Sequence, residues 1–348
     1  MKLSKIVAVA GVFALLLSLS ALRAEDTKGF TFQDTAGKYL DVLLDGKIAA
    51  RYMYEHDTSS PERIQTTYKP YLHVFNAEGT EPITKGPGGQ FPHHRAIFIG
   101  WNNVTFAEKK YDLWHMKGTE IVHQKFVDQK PGTDEGTVTA LIHWIVEKDK
   151  AILEEERTFK FRRAPAGRFT IDFSSKLKAA LGDVDLSGDP EHAGIHYRPA
   201  AELDTKATVY VFPKENANAT KDLDFAWVGE SYTLKEKRHS VVEMSHPDNP
   251  KNTRWSAYRD YGRFGAFPKH VIKKDESFTF KYRFLIADGE MPATDAIQKS
   301  WDEFAGVTTA SPLPQATVKP ADQPKPAAPK TKPDDKTKAP EKEKTEEK

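Results

Sequence analysis

The sequence predicts an all-β protein, a large antiparallel β-sandwich of two sheets with one short C-terminal helix. Three observations carry this. Several stretches alternate apolar and polar residues with a period of two, and turn residues interrupt the chain at short intervals. A helical pattern occurs once, at residues 293–304, so the alternating helices of a parallel α/β fold are missing.

Taken in order, residues 40–54 read as a hairpin around Asp45-Gly46, a dipeptide that tolerates the positive φ of a tight turn. Residues 71–75 form the next strand, closed by Asn76-Ala77-Glu78-Gly79. A loop rich in glycine and proline (86–89) leads through Phe91-Pro92-His93-His94-Arg95 into the apolar run 96–101, which reads as a buried strand. In the meander that follows, Val138, Ala140, Ile142, Trp144 and Val146 share one parity, as do Phe169, Ile171, Phe173 and Ser175. Between these runs, Leu153, Phe159 and Phe161 face inward together with two charges, Glu155 and Arg157. Inward charges must pair or line a wet cavity, because an isolated buried charge is too costly. Further strands are expected at 195–198, 207–212, 226–234 and 278–286, and Thr294-Asp295 would start the helix.

The two ends differ from this body. Residues 1–24 carry a basic start and an uncharged apolar stretch ending at Ala24, which predicts a signal peptide cleaved there and a periplasmic or secreted protein. Loss of Lys2, Lys5 and Arg23 takes the formal net charge from +1 to −2, which gives no reason to expect nucleic acid or a membrane as partner of the mature form. The chain has no cysteine, so it offers neither disulfides nor thiol ligands. Residues 306–348 are rich in Pro, Lys and Glu and are expected to stay disordered, which leaves 25–305 for the sandwich.

The stretch around His93, His94 and Arg95 places titratable groups at the mouth of a sheet, where rigid strands can hold them over a cavity. His123, Glu155, Arg157 and His196 are the other candidates for proton transfer or transition-state charge, and Glu191 is an alternative carboxylate. Trp101, Arg198, His246, Trp255, Arg259 and Tyr261 are candidate substrate-binding groups, offering flat apolar faces and hydrogen bonds. His56, His192, His239 and His270 lie among polar neighbours and are expected at the surface.

Several of these blocks recur together. Pro92-His93-His94-Arg95 with Trp101, Ile121-Val122-His123, Glu155-Glu156-Arg157, Ala193-Gly194-Ile195-His196-Tyr197-Arg198, His246-Pro247-Asp248-Asn249-Pro250 and Arg259-Asp260-Tyr261-Gly262 resemble, in this order, the bacterial family labelled "methane oxygenase PmoA". The resemblance covers residues 38–289. The sequence departs from the family pattern at Gln90 and Phe91, so no role is carried to those positions. What the resemblance implies is a site on a β-sandwich, and the last strand with Asp288-Gly289 is similar to sandwiches of the mutarotase type. Members of that family also often look like partners of sugar oxidoreductases and hydrolases, and both likenesses favour carbohydrate, a small-molecule or oligosaccharide ligand, by analogy.

Three readings of function stay open at this point. One is acid/base chemistry on a sugar or keto-sugar by an isomerase, lyase or hydrolase. Another is a carbohydrate-binding module without catalysis. The third is metal-dependent oxygenase chemistry, as the family label suggests. A divalent metal ion could be held by His93 or His94 with His123, His196 and a glutamate, but adjacent histidines on one strand would point to opposite faces.

Overall fold

Alternation with a period of two places one face of each long strand against a common interior, and two sheets meet there. The computed structural model describes residues 28–189 and 191–322. The segment expected to be a signal peptide lies outside the described residues. One sheet has six strands in the order Phe30–Thr35, Tyr39–Leu44, Lys47–Met53, Tyr71–Val74, Ile97–Ile99 and Ile195–Tyr197. The other has nine, in the order Thr317–Pro320, Val209–Phe212, Trp227–Leu234, Lys237–Ser245, Ser277–Asp288, Phe169–Lys178, Lys150–Arg163, Glu135–Val146 and Thr119–Lys130. All strand pairs in both sheets are antiparallel.

The predicted parities hold. Val138, Ala140, Ile142, Trp144 and Val146 are buried, as are Phe169, Ile171 and Phe173. They pack with Leu40, Val42, Tyr52, Leu72, Ile97 and Ile99 of the six-stranded sheet in one core. Each large apolar side chain buried there contributes about 1.5–3 kcal/mol. The first hairpin turns at Asp45 and Gly46, with φ of 52° and 78°, as that dipeptide predicts.

The outer face of the nine-stranded sheet is covered by the helix Thr294–Ala305. Its Ile297, Trp301 and Phe304 pack on Val211, Trp227, Val242, Met244 and Leu285. Its N-cap is Ala293, without a side-chain cap, so Thr294 does not play that part. A second helix, Pro61–Thr67, was not expected; Ser60 caps it by accepting from the Arg63 amide, and Pro61 stands in its first turn. Within the segment expected to be disordered, Thr317–Pro320 pairs with Val209–Phe212 as an edge strand. No helix of the described residues is long and apolar enough to cross a membrane.

Two smaller sheets position the site. His270–Ile272, Val184–Leu186, Val104–Phe106 and Lys109–Tyr111 form one, and Arg254–Ser256 with Gly265–Phe267 the other. Residues just beyond Ile97–Ile99 tie three loops together: Gly100 N donates to Gly194 O, Asn102 N to His192 O, and Leu113 N to Trp101 O, at 2.9–3.0 Å. Gly194 has φ +66° and lies against the Ala266 carbonyl, where a Cβ would clash.

Candidate metal centre

Three histidines come from three loops. His93 lies between Tyr71–Val74 and Ile97–Ile99, His115 follows Lys109–Tyr111, and His192 precedes Ile195–Tyr197. One nitrogen from each lies within 4.8 Å of the others. The ring centroids are 4.3 Å apart for His93 and His115, 4.8 Å for His115 and His192, and 6.2 Å for His93 and His192.

Two of the three are held by the same local device. His115 Nδ1 bonds Asp112 Oδ2 at 2.9 Å, while Asp112 Oδ1 accepts the amides of Trp114 and His115. His192 Nδ1 bonds Asp189 Oδ1 at 2.8 Å, and the same oxygen accepts the amide of Glu191. An aspartate three residues before each histidine thus folds the loop and fixes the ring. If Nδ1 carries the proton, Nε2 of both rings keeps its lone pair free, the tautomer that a carboxylate partner selects in metal-binding histidines. His93 Nε2 is buried without a hydrogen-bond partner. The set therefore brings three imidazole nitrogens within reach of one ion, a donor set suited to a divalent transition metal at Zn–N distances of about 2.0–2.1 Å. His115 and His192 keep 22% and 29% of their side chains accessible, so the centre opens to solvent on one side.

Behind it lies a buried layer. His94 stands 4.4 Å from His93 and 5.7 Å from His196, ring to ring. His196, paired through its strand with Phe98, bonds the Arg95 carbonyl through Nε2 at 2.7 Å and packs on Phe98 and Trp114. Nδ1 of both His94 and His196 is buried and unpartnered. Burial, aided by nearby Arg263, pushes both rings far below the usual histidine range, so they are neutral. Burial together with the His115 ring pulls His93 down to about 3.

At the rim, the Phe91 and Tyr261 rings meet at 5.0 Å with their planes tilted by 44°, and Arg198 lies over the Tyr261 ring at 4.9 Å. Glu191 is engaged rather than free: Arg263 donates to it at 2.5 Å and to its carbonyl at 2.7 Å, and Arg259 sits 3.1 Å away. Lys69, buried beside this layer, donates to the Trp114 carbonyl at 2.7 Å, and burial lowers its pKa.

The structure thus brings together His93, His94, His196, Arg198, Arg259 and Tyr261, whereas Arg95 contributes only its carbonyl: its buried guanidinium donates to the Gln65 carbonyl at 2.8 Å and lies over the Tyr68 and Tyr71 rings. The structure puts the other predicted residues elsewhere. Glu155 and Arg157 form a fully buried bidentate ion pair at 2.8 Å, completed by Trp144 Nε1 at 2.7 Å, and line no pocket with His93. His123 packs on Tyr54 and Phe126 and shares no ring contact with the five-histidine group. Trp101 is core, donating to the Pro268 carbonyl at 2.8 Å. His246 and Trp255 line a separate cleft of about 240 Å³ with Trp301 and Asn249. His192, expected at the surface, is a member of the centre, and His239 is buried. Neither His115 nor the two bracing aspartates was singled out, although Asp112-Leu113-Trp114-His115 and Asp189-Pro190-Glu191-His192 repeat one spacing.

Comparison with known proteins adds a family. Residues 39–302 match the model of DUF6807, described as a family of unknown function. The chain belongs to that family. This DUF6807 match overturns the resemblance to the family labelled "methane oxygenase PmoA", and the oxygenase expectation falls with the label. No curated protein matches the DUF6807 chain. Solved structures similar to it include a mutant of the heparan sulfate lyase HepC from Pedobacter heparinus, with TM-score 0.37 and 9% identity over 75% of this chain and 37% of that one. A glycoside hydrolase family 97 variant from Pseudoalteromonas sp. strain K8 matches with TM-score 0.37 and 10% identity, over 69% and 34% of the chains. A galactose mutarotase related enzyme from Lactobacillus acidophilus matches with TM-score 0.33 and 9% identity, over 76% and 99%. The DUF6807 chain spans about a third of the length of the first two, and no activity is carried over from any of them.

Proposed function

We propose that this protein is a metal-dependent enzyme acting on a carbohydrate, with His93, His115 and His192 as the metal ligands. The observation that carries the reading is the convergence of three imidazole nitrogens within 4.8 Å, two of them braced by aspartates. A divalent ion held there would polarise a substrate oxygen or lower the pKa of a bound water. The chain's own groups support the rest. Asp112 and Asp189 hold the two rings in one tautomer. Neutral His94 lies directly behind His93, and the Phe91 and Tyr261 rings, tilted by 44° to each other, offer apolar surface to a sugar ring at the mouth. Arg259, half accessible and tied to Glu191, is placed to donate to hydroxyl groups.

A binding module without catalysis needs aromatics and hydrogen bonds but no such convergence, so the histidine triad favours an enzyme. The basic, apolar N-terminal segment favours a site of action outside the cytoplasm.

The test is to strip metal with a chelator, restore zinc, manganese, cobalt, nickel or copper singly, and assay a panel of glycosides, lactones and keto-sugars. Turnover that appears only with metal and is lost in folded His93→Ala and His192→Ala supports the reading. Turnover unchanged by chelation, or a metal-loaded protein that converts none of the panel, contradicts it.

A further inference from the structure

The aspartate that braces His192 also lines a second feature. Asp189 stands at the edge of a cleft of about 660 Å³, together with Gly188, Thr220, Asn252 and the apolar Leu223 and Phe267. Three cations complete its wall: Lys221, Arg254 and Lys269, all exposed. Among the described residues none of the three has an acidic partner. Arg254 donates to the Thr220 carbonyl, and the nearby Asp222 is taken by Lys214 at 3.0 Å. Asp189, the one acid in the lining, is committed to His192, to Asn102 and to the Glu191 amide.

A second open cleft makes the contrast plain. It measures about 510 Å³ and is lined by Arg51 and Arg63, yet both are neutralised there, Arg51 by Asp41 and Arg63 by Glu55 and Asp57. Cations without partners around a concave, partly apolar floor raise the local concentration of an anion and can hold it by charge-assisted hydrogen bonds.

We propose that this cleft binds the acidic group, carboxylate or sulfate, of an oligosaccharide whose neighbouring unit reaches the histidine centre. The link to catalysis rests on the reading of that centre, but the binding does not. Leu223 and Phe267 would take the apolar face of a ring, Asn252 and Thr220 its hydroxyls, and Lys221, Arg254 and Lys269 its charge. Asp189 joins the two regions, since the same side chain faces the cleft and orients His192.

The experiment is calorimetric titration of the full chain with trigalacturonate, with a sulfated galactose trisaccharide, with neutral maltotriose and with inorganic sulfate, each at low and high salt. At least one acidic oligomer should bind, and whichever of the two binds tighter identifies the acidic group. Maltotriose should bind at least tenfold more weakly, and binding should weaken with salt. Lys221→Ala combined with Lys269→Ala, two exposed changes that leave the core intact, should weaken the acidic ligand by about tenfold. Equal binding of neutral and acidic oligomers, no binding of either acidic one, affinity only for inorganic sulfate, or an unaffected double variant overturns the proposal. His115→Ala separates the two readings. Loss of metal with acidic binding retained keeps the cleft assignment standing by itself, and metal present without acidic binding removes the cleft assignment alone.

Discussion

Replacing Glu155 by Gln tests whether the inward Glu-x-Arg pair is structural. The side chain keeps its volume but loses the charge that accepts Arg157 Nε and Nη2 at 2.8 Å and Trp144 Nε1 at 2.7 Å. Arg157 is 1% exposed, and its remaining polar contact, to the Pro70 carbonyl, is 3.5 Å long, so its charge would be left buried and unpaired. Removing one partner of such a pair costs about 3–5 kcal/mol. At about 2 °C per kcal/mol for a chain of this size, Tm should fall by roughly 6–10 °C. The assay is thermal and urea unfolding of Glu155→Gln beside the wild type, with metal content measured on both. Metal content should not change, because the pair has no contact with the histidine centre. A Tm within about 2 °C of wild type, or loss of metal in the variant, would refute the assignment.

Other outcomes follow from the same contacts. Asp112→Asn should lower metal affinity by about 10–100-fold while the protein stays folded, as measured by competition with a chromogenic chelator. The pH dependence of stability should have two opposed arms, read from urea unfolding between pH 3.5 and 8. Burial holds His73, at about 3, and His196 neutral in the fold, so stability is lost as pH falls from 6.5 and these rings protonate in the unfolded chain. Burial raises Glu230 and Glu243, so their contribution is present below pH 4.5 and is lost as pH rises toward their folded values. Each pair contributes a slope of about 3 kcal/mol per pH unit, and His93 and His94, held neutral in the same way, add to the histidine arm, so the two arms offset only in part between pH 4.5 and 6.5. Combining Glu230→Gln with Glu243→Gln should expose the histidine slope in that window, and a flat profile in that double variant would count against it. In an exporting bacterial host, mass spectrometry of the mature protein should find Glu25 at its N-terminus; an intact Met1 would contradict cleavage after Ala24.

Much of the fold was legible because strand parity is local. The run from Val138 to Val146 alternates in the sequence and is buried on that alternation in the structure. The helix Pro61–Thr67 escaped because seven residues give no clear period, although Ser60-Pro61-Glu62 is a start signal. For Glu155 and Arg157, parity gave the correct face but could not say which interior neighbours they would meet. Of the three ligands of the centre itself, only His93 was legible. His93, His94 and His196 stand in conspicuous stretches, but their meeting with His115 and His192 depends on the pairing of Ile97–Ile99 with Ile195–Tyr197, strands far apart in the chain. No local period encodes that pairing. The two Asp-x-x-His repeats were the available sign, since an aspartate three residues ahead can fold a loop and hold the ring at once.

The most direct test of the central claim is metal content, by mass spectrometry, of the protein purified without a metal-binding tag. It should be measured for wild type, His115→Ala, His192→Ala and, as a control away from the centre, His123→Ala. The account predicts close to one equivalent of a transition metal in wild type and His123→Ala, and its loss in the other two with the fold intact by circular dichroism. Wild-type protein that takes up no metal even after incubation with zinc, manganese, cobalt, nickel or copper, or variants at His115 and His192 that keep it, would contradict the account.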